Sequence, residues 1–300
     1  MNSSGENHSG QGSGKWILIA AICSVGFLGC LAWLILYMIN NGRAEREIDA
    51  LRQEYAAEVP SATAQPEPSP TAEPEPEASP APTQEPSPLL GYDIPNRTVD
   101  IEALQENENE DIYAWLIVPG TEIDYPVLQH PEQLDYYLDH NVDDSKGYPG
   151  CIYSQNLNSK EWDDPNTVLY GHNMKNGSMF AGLHYYEDPD FLEENQYIYI
   201  FTQNYVRVYH IFGAYEYDNR HLLLAMDTTD PAAFATYLVE VQSLNGMRDN
   251  FLEEVPVSIK DHVLTLETCI TNKSDKRYIV QAVLEAEGEW PIGGGAGAED

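Results

Sequence analysis

The stretch Val263-Leu264-Thr265-Leu266-Glu267-Thr268-Cys269, followed eight residues after the cysteine by Arg277, decides how this chain reads. Alternating apolar and polar residues at its start predict a β-strand. The cysteine that ends the run lies at the strand's exit, where its side chain can leave the sheet and face a cleft. Far upstream, Tyr170-Gly171-His172-Asn173 supplies a histidine. A thiol and an imidazole that are distant in the chain can meet in the fold as nucleophile and proton partner, so the tract reads as a thiol active site.

Outward from this tract, the flanking sequence is rich in short strands. Tyr113 to Val118 stops at Pro119-Gly120, and Ile123 to Leu128 follows at hairpin spacing. Cys151 to Tyr153 and Thr167 to Tyr170 read as short buried strands. Tyr197 to Thr202 and Tyr205 to Tyr217 are joined at Gln203-Asn204 as a hairpin. Val263 to Thr268 and Tyr278 to Leu284 complete the set. Helices are fewer: Thr98 as N-cap of a short acidic helix to Glu108, a helical pattern from Pro131 through Leu138, helical spacing of Met179, Phe180 and Leu183, and Asp230-Pro231 opening a helix through Val239. Many short strands with few helices imply a mainly β domain, a closed or nearly closed barrel.

The domain occupies only part of the chain. Residues 16–39 form an almost uncharged run, roughly 35 Å long as a helix and sufficient to cross a bilayer with some tilt. Trp16, Trp33 and Tyr37 lie toward its ends, and no small-x-small cleavage site follows, so it reads as an uncleaved single span after the short tail 1–15. Residues 40–59 are a charged continuation of that helix. From Pro60 to Pro88 the chain holds ten of its 20 prolines and no lysine or arginine, a composition that buries no core and, as polyproline II, reaches on the order of 90 Å. Residues 60–90 therefore read as a stalk, 91–287 as the folded domain and 288–300 as a Gly-rich disordered tail. Lys15 against Arg43, Arg46 and Arg52 favours keeping the domain inside. The stalk favours the opposite, an N-terminus inside and a domain working outside the cell.

Charge excludes one class of function. With 49 Asp+Glu against 15 Lys+Arg, formally −34, the chain would repel a phosphate backbone, so no nucleic-acid partner is expected. Of four cysteines, Cys23 and Cys30 lie in the apolar run, which leaves Cys151 and Cys269 for the domain. Cys151 reads as a small buried hydrophobe. A disulfide between the two is an alternative in an oxidising exterior. No metal-binding spacing occurs, and no motif calls for an organic cofactor.

The Tyr-Gly-His-Asn-Met stretch at 170–174, the Thr-Leu-Glu-Thr-Cys stretch at 265–269 and the arginine at 277 resemble, in order and approximate spacing, the three signatures of sortases, membrane-anchored cysteine transpeptidases of Gram-positive bacteria. The continuation Lys175-Asn176-Gly177-Ser178-Met179-Phe180-Ala181, the N-terminal helix and the helix at 230–242 are similar to class B. The resemblance implies an eight-stranded barrel with an N-terminal helix and a helix between strands 6 and 7. It further implies Cys269 as nucleophile, His172 as acid/base and Arg277 as the cation holding substrate and oxyanion; Thr268 and Asn173, next to the nucleophile and the histidine, are expected to line the substrate groove, the alternative for Thr268 being that it just favours the strand. A departure is the short loop, Ile270 to Lys276, between cysteine and arginine.

A thiol of ordinary pKa near 8.5 is mostly protonated at neutral pH, so an adjacent imidazole or guanidinium raises its thiolate fraction. The implied chemistry is cleavage of a C-terminal sorting signal after threonine, a thioester on Cys269, and transfer to an amine of peptidoglycan or of a pilin subunit. Its partners would be surface-protein or pilin substrates. Three other readings stand beside it: a wall-spanning scaffold or adhesion domain without turnover, a redox thiol protein with Cys151 as resolving cysteine, and an Arg277 that merely pairs with Glu267 or Asp275 at the surface, worth about 0–1 kcal/mol.

Overall fold

The computed structural model describes residues 13–56 and 87–290. The N-terminal tail to residue 12, most of the proline-rich stalk (57–86) and the tail from 291 onward lie outside the described residues.

Helix α1 (Ser13–Tyr55) carries the apolar run. Within it Trp16–Leu36 has a mean hydropathy of 2.4, none of it buried, and is long and apolar enough to span a membrane. The chain divides into two compact units, residues 1–47 and 48–300.

In the second unit the strands are β1 (Ile112–Ile117), β2 (Asp124–Leu128), β3 (Ile152–Ser154), β4 (Asn166–Tyr170), β5 (Tyr197–Phe201), β6 (Tyr205–Asp218), β7 (Asn250–Phe251), β8 (Val263–Ile270) and β9 (Lys273–Glu289). Their order β5-β1-β2-β3-β4-β8-β9-β6 closes through a further β5–β6 pairing, which makes an eight-stranded barrel, and the two-residue β7 hangs on β6. The two parallel contacts, β2–β3 and β4–β8, need long connections; every other pairing is antiparallel.

Strand β1 is buried along its whole length, because each of its faces is covered by a different layer. Ala114 and Leu116 belong to the cluster that includes Ile198, Ile211, Leu264 and Leu266. Trp115 and Ile117 belong to a second cluster with Ile101 and Leu104 of helix α2 (Ile101–Asn107). Leu51 and Ala56 share that second cluster with Leu89, so both flanks of the proline-rich stretch are held by the same packing. Arg52 Nε donates to Asp124 O at 2.8 Å and its guanidinium stacks 4.9 Å from the Tyr125 ring. The packed unit thus starts upstream of Gly91.

Helix α5 (Pro231–Gln242) lies between β6 and β8, the sixth and seventh barrel strands, and Asp230 caps it by accepting from Ala232 N at 2.9 Å. Several local expectations are corrected. Helix α2 is capped by Asp100, not Thr98; Asp100 accepts from Ala103 N, and its own N–H donates to Tyr55 O at 3.1 Å. The helical pattern from Pro131 yields only a single 3-10 turn, Tyr136–Leu138. Only Tyr137 of it is buried, while Leu138 stays 41% exposed, so no apolar stripe finds a groove. Phe180–Glu187 winds as 3-10 and hands over to α3 (Pro189–Glu194). The loop expected over Ile270 to Lys276 shrinks to Thr271-Asn272, because β9 starts at Lys273 and pairs early with β6, Lys276 opposite Asp218. Asn272 takes φ 65° to close the turn, a conformation asparagine tolerates.

Candidate active site

Strand register gathers the site. β4 and β8 run parallel with Tyr170 opposite Glu267, so the residues that follow, Gly171-His172 and Thr268-Cys269, emerge side by side. The link continues past the ladder: Gly171 N donates to Glu267 O, and Thr268 Oγ1 donates to Gly171 O at 2.8 Å. On the other flank β9 pairs antiparallel with β8, with Arg277 directly opposite Cys269. Directly opposed residues share a face of the sheet, so thiol and guanidinium point the same way. Gly171 is dictated by crowding, since a Cβ there would come within 2.5 Å of Ile152 and 2.7 Å of Phe180.

Cys269 is exposed, the one exposed residue of β8. Cys151 is buried with its Sγ 3.4 Å from His140 O, and the two thiols are not joined in a disulfide. His172 Nε2 donates to Leu138 O at 2.7 Å, and its ring lies 5.0 Å from that of Tyr148. A neutral ring held this way keeps its proton on Nε2 and leaves Nδ1 free to exchange one. Leu138, the last residue of the 3-10 turn, thus supplies the carbonyl that orients the histidine.

Arg277 donates through Nη1 to Lys276 O at 3.0 Å, and its Nε lies 3.4 Å from Glu267 Oε1. The surface ion pair weighed from the sequence is therefore half right: Glu267 is the partner, but it is buried. Burial, helped by Asp135, pushes its carboxyl up to about 7, against the opposing pull of Arg277. Tyr170 beside it is also raised, by burial and then by that same carboxylate.

The two residues expected at the substrate groove are both hydrogen-bonded within the fold. Thr268 is 2% exposed, on the sheet face opposite Cys269, and its hydroxyl is spent on Gly171. Asn173 Nδ2 lies 2.9 Å from both Cys269 O and His184 Nε2. His184 Nδ1 in turn is 2.8 Å from Glu187 Oε1, which also meets Arg248, and its ring stacks on Tyr278 at 5.0 Å. A carboxylate only accepts, so Nδ1 carries the proton, while Nε2 stands between the Asn173 amide at 2.9 Å and the Cys269 carbonyl at 3.1 Å. His184 is not among the site residues expected from the sequence. The His184/Glu187 spacing of three, on one face of a helical turn, was the available signal.

Known proteins resemble this chain in sequence and in fold. Residues 116–285 match the sortase domain family. Sortase B of Listeria monocytogenes is 38% identical over 181 residues, 59% of this chain and 70% of that protein. Sortase B of Staphylococcus aureus is 28% identical over 182 residues, 60% and 72% of the two chains. The crystal structure of Clostridium perfringens sortase B superposes with a TM-score of 0.53 at 30% identity, covering 61% of this chain and 98% of that one. With the barrel closed as that family closes it and the signature residues on adjoining strand ends, this chain belongs to the sortase family of cysteine transpeptidases, class B.

Proposed function

We propose that the chain is a membrane-anchored transpeptidase in which Cys269 is the nucleophile, His172 the acid/base and Arg277 the cation at the developing oxyanion. The observation that carries this reading is the register of three neighbouring strands, with His172 following β4 and Arg277 on β9 flanking the exposed Cys269 on β8. Thiolate attacks the carbonyl carbon of a threonine in a C-terminal sorting signal. Arg277 offsets the charge that forms on the oxygen. The C–N bond breaks as protonated His172 gives its proton to the leaving amine, and a thioester remains. An incoming amine, from peptidoglycan or from a pilin lysine, then loses a proton to His172 and displaces the thiolate, so one amide replaces another. Asn173 and Thr268 are positioning residues that tie the histidine's loop to the nucleophile's strand. Residues 16–36 anchor the chain with its N-terminus inside and the barrel outside.

The test offers the full chain in detergent micelles a library of sorting-signal peptides with a free amine, read by mass spectrometry. Joined product from the wild type, absent from Cys269→Ala, is expected. Product from Cys269→Ala would overturn the assignment. A wild type that joins nothing and whose Cys269 ignores thiol-reactive probes would leave the barrel a scaffold.

A further inference from the structure

Glu267 is a charged group for which the proposed chemistry has no use. It sits two residues before the nucleophile, so its side chain shares the Cys269 face of β8 and meets the guanidinium of Arg277 diagonally across the ladder. The residue is 8% exposed, and its Oε2 is buried with no hydrogen-bond partner. An ionisable carboxyl held this dry is unfavourable unless something nearby uses its charge. Arg277 is the cation beside it. The other groups facing it are neutral or acidic: Asp135 ahead of the 3-10 turn, Tyr153 on β3, Tyr170 on β4, Tyr215 on β6 and Tyr237 on α5. His221, the N-cap of α4 (Leu222–Ala225), has its ring 6.3 Å from that of Tyr170.

The arginine needs such an anchor. Its guanidinium stands at the open end of the sheet with a quarter of its side chain exposed, and its other bonds go to main-chain carbonyls of the adjoining β9 residues Ser274 and Lys276. Those local bonds follow the arginine's own backbone. Among the described residues, only the Glu267 contact refers the guanidinium to the strand that carries the thiol.

We propose that Glu267 is a positioning residue for Arg277: when ionised, its carboxylate anchors the guanidinium on the Cys269 side of the β8–β9 ladder, and when protonated it releases it. The inference rests on the role given to Arg277 above. Because burial brings the carboxyl's ionisation to about pH 7, the anchor forms as pH rises through neutrality. Glu267→Gln keeps the shape and fixes the uncharged state.

The experiment compares wild type and Glu267→Gln, as full chains in micelles, from pH 5.5 to 8.5. At pH 8.5 the variant should lose about five- to tenfold in kcat with KM within about twofold, because only transition-state placement is affected. At pH 5.5 the two should turn over alike, so the ratio of their kcat values rises with a midpoint near 7. A ratio that does not change with pH overturns the proposal. In parallel, with 15N-labelled arginine, the Nε–H resonance of Arg277 should titrate near pH 7 in the wild type and stay flat in Glu267→Gln; a flat wild-type resonance overturns it equally. A wild type without transpeptidase activity would refute the proposed function, while the resonance still decides whether Glu267 anchors Arg277.

Discussion

The side-chain amide of Asn173 reaches the main-chain carbonyl of Cys269 at 2.9 Å, so the residue after the proposed acid/base grips the nucleophile's own backbone. Two chain segments separated by 96 residues are thereby fixed to each other at the point where a proton must pass between imidazole and thiol. His184 holds the amide from behind, and Glu187 holds His184.

Asn173→Ala should therefore act on turnover more than on binding. Loss of this hydrogen bond is worth about 1 kcal/mol, and a looser histidine loop adds to it, so kcat should fall roughly tenfold with little change in KM. Steady-state kinetics with a sorting-signal peptide checks this. A rise in KM at unchanged kcat would return Asn173 to the substrate groove.

Arg277→Lys keeps the charge but loses the planar fork that bonds Lys276 O and meets Glu267 at the same time. A fall in kcat/KM of about 10²-fold is expected, in the range for losing an oxyanion donor. Near-normal kcat/KM in the lysine variant would mean that a point charge suffices.

Glu267 should mark the pH dependence of stability. Its carboxyl titrates near 4.5 when exposed in the unfolded chain and at about 7 in the barrel. A raised folded value means that its contribution is fully present below pH 4.5, declines as pH climbs, and is gone above about 7. The total loss is on the order of 3 kcal/mol. Denaturant melts should show Glu267→Gln gaining on the wild type between pH 4.5 and 7, with the difference level above that. Parallel curves would mean that the carboxyl is not buried in solution.

The packed unit includes the end of α1. A chain that begins at Gly91 loses Leu51, Ala56 and Leu89 from the second cluster and the Arg52 contacts to Asp124 and Tyr125. Covering apolar side chains of this kind contributes about 1.5–3 kcal/mol for each large one. Relative to a chain beginning at Ile48, the shorter one should melt several degrees lower. Equal melting temperatures would mean that this packing adds nothing.

Much of the barrel was legible because its strands are read from period and punctuation, which are local. Pro119-Gly120 ends β1, Gln203-Asn204 turns β5 into β6, and Asp230-Pro231 starts α5, each through backbone geometry that the residues themselves impose. The failures were also instructive. Leu134, Tyr137 and Leu138 have helical spacing, yet spacing stabilises a helix only when another surface covers the stripe, and here only Tyr137 is buried.

By itself the sequence determined the apolar run, the strand-rich domain and the identity of the three residues proposed for chemistry, since hydropathy, turn preference and side-chain reactivity belong to individual residues. Tertiary structure alone decided that β9 begins four residues before Arg277 and so sets it opposite Cys269. It also turned Thr268 inward and buried Glu267 beside the arginine. Register and burial are properties of strands that meet from distant parts of the chain, and no single segment carries the information for where its partner will stop.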